Sequence, residues 1–110
     1  MAFDKRMVDG TAVVALTGDV DLQSSPGVRQ QLLTCFEDST RVVVDLAGVT
    51  YIDSSGVASL VEAFQMARKK GGAFCLVSVS PAVMRVLSLA RLDKVFAIHP
   101  SVDAAIAAQS

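Results

Sequence analysis

The chain has 110 residues and a net charge of −1 at neutral pH, with 52% hydrophobic and 19% charged residues. This length predicts one compact domain, residues 1–110, and the scarcity of aromatics predicts a mainly aliphatic core. The net charge is near zero and Arg68-Lys69-Lys70 is the one basic run, so the sequence gives no indication of a nucleic-acid-binding surface. No apolar run is long enough to cross a bilayer. The N-terminus lacks the apolar segment of a signal peptide, so we expect a cytoplasmic protein.

Few residues are available for metal or covalent chemistry. Cys35 and Cys75 lie in apolar segments without the spacing of metal ligands, so buried thiols are predicted. His99 is the single histidine and offers little from which to build a metal site or a catalytic triad. A Gly-x-x-x-x-Gly-Lys phosphate loop is missing from the sequence. We therefore expect no metal, no cofactor, no catalytic residues and no enzymatic activity.

The first third of the chain predicts a hairpin followed by a helix. Residues 3–8 and 11–17 have strand patterns, and Asp9-Gly10 between them is a hairpin signal. The segment 18–21 is predicted to leave the second strand. A helix should begin near Ser24 or Ser25, because Pro26 suits a first helical turn. Its apolar stripe consists of Val28, Leu32 and Phe36, with Leu33 beside it.

The remaining residues alternate between strand and helix patterns. Strands are predicted at 41–46, 73–77 and 95–98, and helices at 55–70, from Ser80-Pro81 onward, and from Pro100-Ser101 onward. Residues 47–52 should carry the chain over the end of the third strand. Together these elements predict an α/β fold, with a mainly parallel central sheet, an antiparallel N-terminal edge hairpin and about four packed helices.

Polar residues cluster where the predicted strands end, which is where open α/β sheets place their functional groups. They are Asp19, Asp21, Asp53, Ser54, Ser55, Ser78 and Ser80. The densest group, 53–56, lies at the start of the long central helix. Its Asp and Ser residues suit a helix cap. A serine phosphorylated there would also meet the unpaired N–H groups of a helix N-terminus. The residues alone leave both interpretations open.

Six segments of the chain, in this order and spacing, resemble the STAS domains, a family named for sulphate transporters and anti-sigma factor antagonists. The segments are Leu-Thr-Gly-Asp-Val-Asp at 16–21, Val-Val-Asp-Leu at 43–46, Tyr-Ile-Asp-Ser-Ser-Gly at 51–56, Gly-Gly at 71–72, Val-Ser-Val-Ser-Pro-Ala-Val at 77–83 and Leu-Asp-Lys-Val-Phe at 92–96. Their arrangement is similar to that of the stand-alone antagonists within the family.

The resemblance implies a partner-switching regulator. Such an antagonist binds an anti-sigma factor that is also a protein-serine kinase of the histidine-kinase-like ATPase fold. The kinase inactivates it by phosphorylation, and a serine phosphatase restores it. The family pattern implies Ser54 as the acceptor, with Ser55 as second choice. It also implies a partner surface that includes Asp21, Asp53, Ser54, Ser55 and Gly56.

Other functions stay possible at this stage. The chain could be the STAS subunit of a lipid-trafficking ABC transporter, although that branch commonly has Thr or Ala in the motif. It could be a catalytic or nucleotide-binding domain, which the missing phosphate loop disfavours. The antagonist motif is often followed by Leu-Gly, whereas Val57-Ala58 follows here. For Gly56 we consider a partner's close approach, a special backbone angle, or simple local packing.

Overall fold

The computed structural model describes residues 2–109, which fold into five strands and four helices. The strands are β1 (Ala2–Val8), β2 (Thr11–Val20), β3 (Arg41–Ile52), β4 (Ala73–Val77) and β5 (Ala97–His99). The helices are α1 (Ser25–Asp38), α2 (Ser54–Lys69), α3 (Pro81–Leu89) and α4 (Val102–Gln109). Of the predicted domain 1–110, residues 1 and 110 lie outside the described part.

The strands form one mixed sheet in the order β1-β2-β3-β4-β5, so neighbours in the sheet are also neighbours along the chain. β1 pairs with β2 in antiparallel fashion, and the later pairings are parallel. Between β1 and β2, Asp9 has φ 50° and Gly10 has φ 79°, both in the left-handed region that a tight hairpin turn uses. The predicted mainly parallel sheet with an antiparallel N-terminal hairpin is therefore confirmed.

Alternate residues of the central strands face two separate hydrophobic clusters. Val14 and Val44 belong to the larger cluster, which side chains of α1, α2 and α3 complete. Val13 and Val43 face the opposite side of the sheet, where Ala105 of α4 packs against them. Because both faces are covered, the central strands are almost continuously apolar rather than alternating.

Local hydrogen bonds cap the start of α3 and the end of α2. The Ser80 side chain accepts a hydrogen bond from the Val83 N–H at 3.3 Å and caps α3. Gly71, with φ 68°, ends α2, and the Gly72 N–H donates to the Ala67 carbonyl at 2.8 Å. This is a Schellman motif, which satisfies carbonyls that would otherwise be unpaired at the end of the helix.

Two strands run further than the sequence predicts. β2 continues to Val20 and β3 to Ile52, whereas the predicted strands ended at 17 and 46. The pairing between them shifts register twice in this region, and Gly18 stays in the ladder as the partner of Val49. The expectation that 18–21 and 47–52 leave the sheet is thus wrong for most of these residues. The extension carries both strands to a common end.

The last strand begins later than predicted. It covers Ala97–His99 rather than 95–98, because the N–H groups of Val95 and Phe96 both donate to the Leu92 carbonyl at 3.0 Å. Those bonds form a turn that precedes β5. The aromatic ring of Phe96 is buried all the same.

Both thiols are buried, as the sequence predicts. Burial raises the pKa of the Cys35 thiol, and it raises the pKa of the Cys75 thiol to about 11. Across residues 2–109, the structure contains no helix with the length and apolar character needed to span a bilayer.

Candidate functional site

The carboxyl ends of β2 and β3 form the candidate site. Val20 and Ile52 are register partners at the ends of these parallel strands. The residues that follow them are Asp21 and Asp53, and the Asp53 N–H donates to the Val20 carbonyl at 3.2 Å. The structure therefore brings the two predicted acidic residues to one edge of the sheet, although they are far apart in sequence.

Asp53 is the N-cap of α2. Its Oδ1 accepts hydrogen bonds from the N–H groups of Ser55 and Gly56 at 3.0 and 3.1 Å, and from the Ser55 hydroxyl at 2.6 Å. These bonds, with the Ser55 hydroxyl contributing most, lower the pKa of the Asp53 carboxyl below its usual value. Asp53 is therefore a structural carboxylate that stays ionised and fixes the first turn of α2.

The two neighbouring serines differ in exposure and in hydrogen bonding. Ser54, the first residue of α2, is exposed, and within the described part of the chain its side chain makes no hydrogen bond. Ser55 is half-buried, and its hydroxyl is committed to Asp53. Of the two serine hydroxyls, that of Ser54 is therefore the accessible one.

Asp21 organises the loop between β2 and α1. Its Oδ1 accepts hydrogen bonds from the N–H groups of Gln23 and Ser24, both at 3.1 Å. The Asp21 N–H in turn donates to the Ser24 hydroxyl at 2.9 Å. The backbone of Leu22 in this loop has the smallest of the effects that lower the pKa of the Asp53 carboxyl.

Gly56 is an internal packing residue. It is buried, and a Cβ added there would lie 2.6 Å from the Val20 carbonyl oxygen and 2.7 Å from Cγ1 of Ile52. Its φ is not in the left-handed region, so the suggested special backbone angle is wrong. The glycine is explained by the close approach of α2 to the end of β2. Of the predicted partner-binding residues, Gly56 is thus the one that the sheet covers.

The remaining polar candidates have structural partners. Asp19 accepts a hydrogen bond from the Thr50 hydroxyl at 2.8 Å, and the Ser78 hydroxyl donates to the Pro100 carbonyl at 3.4 Å. Within residues 2–109, no three His, Cys, Asp or Glu side chains are grouped closely enough to hold a metal ion. His99 lies in β5, on the far side of β4 from the site.

Sequence reasoning missed two exposed apolar residues at this edge. Leu22, in the loop after β2, is 74% exposed, and Tyr51, near the end of β3, is 52% exposed. Tyr51 pairs in register with Asp19, so it lies beside the acidic residues. Their only signal in the sequence is a large apolar side chain in a segment rich in polar and turn residues.

A groove between α1 and α2 begins next to Ser55. It has a volume of about 340 Å³ and is lined by Ser25, Pro26, Arg29, Ser55, Ala58, Ser59 and Glu62. The Ser59 hydroxyl donates to the Ser25 carbonyl at 3.1 Å and joins the second turn of α2 to the start of α1. An ion pair between Arg29 and Glu62 crosses the groove further along. The first half of α2 is therefore held by α1 as well as by the sheet.

Known proteins share this fold, and some of them share part of its sequence. The anti-sigma-B factor antagonist of Bacillus subtilis (strain 168) is 27% identical over 95 residues, which cover 86% of this chain and 87% of that protein. An anti-sigma factor antagonist from Mycobacterium paratuberculosis is 29% identical, with a TM-score of 0.87 over 97% of this chain and 92% of its own. The phosphorylated form of the Bacillus cell fate determinant SpoIIAA is 22% identical, with a TM-score of 0.77 over 99% of this chain and 100% of its own. The family model described as STAS domain matches residues 2–105. The chain belongs to the STAS domain family.

Proposed function

We propose that this chain is an anti-sigma factor antagonist that works by partner switching in the cytoplasm. In its unmodified form it binds an anti-sigma factor that is also a protein-serine kinase of the histidine-kinase-like ATPase fold. Phosphorylation of Ser54 ends that interaction, and a serine phosphatase restores it. The chain itself catalyses no reaction in this scheme.

The exposed Ser54 hydroxyl is the observation that carries the proposal. A kinase must place the hydroxyl of its substrate against the γ-phosphate of ATP, so the acceptor has to be accessible. Ser54 is exposed, whereas Ser55 is half-buried and donates its hydrogen bond to Asp53. These differences favour Ser54 over Ser55 as the acceptor.

The position of Ser54 suits a modification that alters binding without unfolding the protein. A phosphate carries a charge of about −1.5 to −2, and the N-terminus of α2 is a favourable place for negative charge. The Asp53 carboxylate beside it is already held by three hydrogen bonds from the first turn of α2. The added charge therefore acts mainly on a protein that docks over Ser54, Asp53 and Asp21.

The names of the relatives point to the same function. Two similar proteins are anti-sigma factor antagonists by name, and one solved relative of the same fold was determined in a phosphorylated form. The coverage of nearly the full length in each comparison supports a common mode of action.

Phosphorylation is tested with the purified chain, ATP and a serine kinase of the stated fold encoded in the same genome. We expect intact-mass spectrometry to detect one added phosphate on the wild-type chain, none on Ser54→Ala, and one on the matched control Ser55→Ala. The opposite pattern for the two serines would move the acceptor to Ser55. Full phosphate uptake by a variant that carries both Ser54→Ala and Ser55→Ala would refute both serines as the acceptor.

Binding is tested by calorimetry with the same kinase. We expect Ser54→Asp to weaken the complex by about 1–3 kcal/mol, because it places a negative charge where the partner docks. Ser54→Ala, which adds no charge, should bind like the wild type. Equal affinities for the Asp and Ala variants would contradict the electrostatic mechanism.

A further inference from the structure

A hollow with apolar walls lies between the second half of α2 and the segment that leads into β5. Its volume is about 380 Å³, within the range of about 300–1,000 Å³ that small-molecule sites occupy. It is lined by Val61, Phe64, Gln65, Arg68, Leu92, Val95 and Phe96. None of these residues belongs to the Ser54 site.

Contacts within the protein hold the aromatic walls of the hollow in place. The rings of Phe64 and Phe96 meet edge to face, with centroids 5.5 Å apart and planes at 90°. Phe74 supports Phe96 from behind, with ring centroids 5.9 Å apart. The backbone of the wall is held by the hydrogen bond from the Leu92 N–H to the Leu87 carbonyl at 2.8 Å. A bound apolar group would therefore meet an ordered surface.

The charge at the hollow has one sign. Arg68 is its only charged lining residue, and the guanidinium carbon lies 5.8 Å from the centroid of the Phe64 ring. Within residues 2–109, Arg68 forms no ion pair with a carboxylate. Gln65, one helical turn earlier, adds an amide to the same rim. A guanidinium without a carboxylate partner, beside an apolar cavity, suits an anionic group attached to a hydrocarbon.

We propose that this hollow binds a small amphiphilic carboxylate. The hydrocarbon part packs against Phe64, Phe96 and Val95, and the carboxylate pairs with Arg68 and accepts a hydrogen bond from Gln65. The proposal does not depend on the phosphorylation of Ser54, since the hollow and the serine lie on different parts of α2.

The probe is sodium decanoate, kept below its micelle concentration and titrated into the isotope-labelled chain while amide shifts are recorded by NMR. We expect saturable shifts that are largest in the second half of α2 and at 92–96. Decyltrimethylammonium, which has the same hydrocarbon length and the opposite charge, should bind at least about tenfold more weakly because it faces Arg68.

Substitutions test the charged part and the apolar part of the site independently. Arg68→Gln should weaken decanoate binding by about tenfold, whereas Lys69→Gln, which removes a neighbouring charge outside the hollow, should leave it unchanged. Val95→Trp, at a half-exposed position, should fill the hollow and abolish binding without disturbing the core.

Three results would overturn the proposal. The first is equal binding of the anion and the cation, which would leave only hydrophobic adsorption. The second is decanoate affinity that Arg68→Gln and Val95→Trp both leave intact. The third is a concentration-dependent shift of the same amides without any ligand, which would assign the hollow to contact between copies of the chain.

Discussion

At the scale of single residues, Asp53 and the three residues that follow it have different structural roles. The Asp53 carboxylate receives hydrogen bonds from Ser55 and from Gly56, so it holds the backbone of the motif. Ser55 completes that arrangement with its hydroxyl. Ser54 takes no part in it and stays accessible. A motif of four consecutive residues therefore combines a hydrogen-bonded backbone with one accessible hydroxyl.

The lowered pKa of the Asp53 carboxyl makes a prediction about acid stability. Because the folded pKa lies below the unfolded one, the unfolded chain binds more protons as the pH falls, and folding loses stability. The contribution of Asp53 is complete above the unfolded pKa of about 3.9 and is lost as the pH falls through the folded pKa. Asp53→Asn, which keeps a capping oxygen but cannot titrate, should be less stable than wild type at neutral pH.

Urea unfolding at several pH values measures this effect. The difference between the wild type and Asp53→Asn should shrink as the pH falls below about 4. Ser55→Ala, which removes the largest single cause of the shift, should reduce the pH dependence in part. A difference that is constant down to acid pH would show that Asp53 makes no pH-dependent contribution.

At the scale of secondary-structure elements, the contact between α2 and the sheet fixes the position of the candidate site. α2 begins immediately after β3 and lies so close to the end of β2 that only a glycine fits at position 56. Ser59, in the next turn of α2, donates a hydrogen bond to the Ser25 carbonyl at the start of α1. The position of Ser54 thus depends on three neighbouring elements rather than on a flexible loop.

Two glycines in equivalent positions test this contact. Gly56 is the third residue of α2 and Gly27 the third residue of α1, but a Cβ at position 27 would meet no atom within 4 Å. Gly56→Ala should destabilise the protein by about 1–3 kcal/mol through overpacking. Gly27→Ala should be neutral or stabilise by up to about 1 kcal/mol, since alanine favours helix.

Urea denaturation followed by circular dichroism distinguishes the two variants through their midpoints. Similar midpoints would mean that, in Gly56→Ala, α2 moves away from Val20 with little loss of folding free energy. In that case the rigid placement of Ser54 would lose its physical basis.

The accuracy of the sequence predictions follows from how local each signal is. Helix starts at Ser25 and Pro81 and the hairpin at Asp9-Gly10 depend on a few adjacent residues, and the structure confirms them. The extension of β2 through Gly18 depends on pairing with β3, which is distant in sequence. The local pattern therefore places the end of β2 at 17, which is too early. The contact of Gly56 with Val20 is equally non-local. Sequence could name the two serines of the motif, but only the fold separates them by exposure.

The whole molecule places its two cysteines on opposite faces of the sheet. Cys35 is a residue of α1 and belongs to the larger cluster, and Cys75 lies in the smaller cluster with Ala105 of α4. A disulfide between them would require the sheet to come apart. Burial also disfavours the thiolate form that reacts with thiol reagents, as the raised pKa of each thiol indicates.

We expect both thiols to react slowly in the native protein. Labelling by a chromogenic disulfide reagent should be more than about a hundredfold slower in native buffer than in guanidinium chloride, because reaction requires opening of the structure. Single Cys→Ser variants identify which thiol reacts. Rapid labelling of either thiol in native buffer would contradict its burial.

Three helices cover one face of the sheet, and α4 alone covers the other. We therefore expect local unfolding to be easier on the face that α4 covers. α4 is short and contributes Ala105 as its fully buried residue. Its detachment would expose the smaller cluster while the larger cluster stays intact, so it should occur far more often than global unfolding. The Ser54 edge is built from β2, β3, α1 and α2, and it would keep its shape during such an event. The detachment of α4 would therefore be a local event that leaves the Ser54 hydroxyl in place.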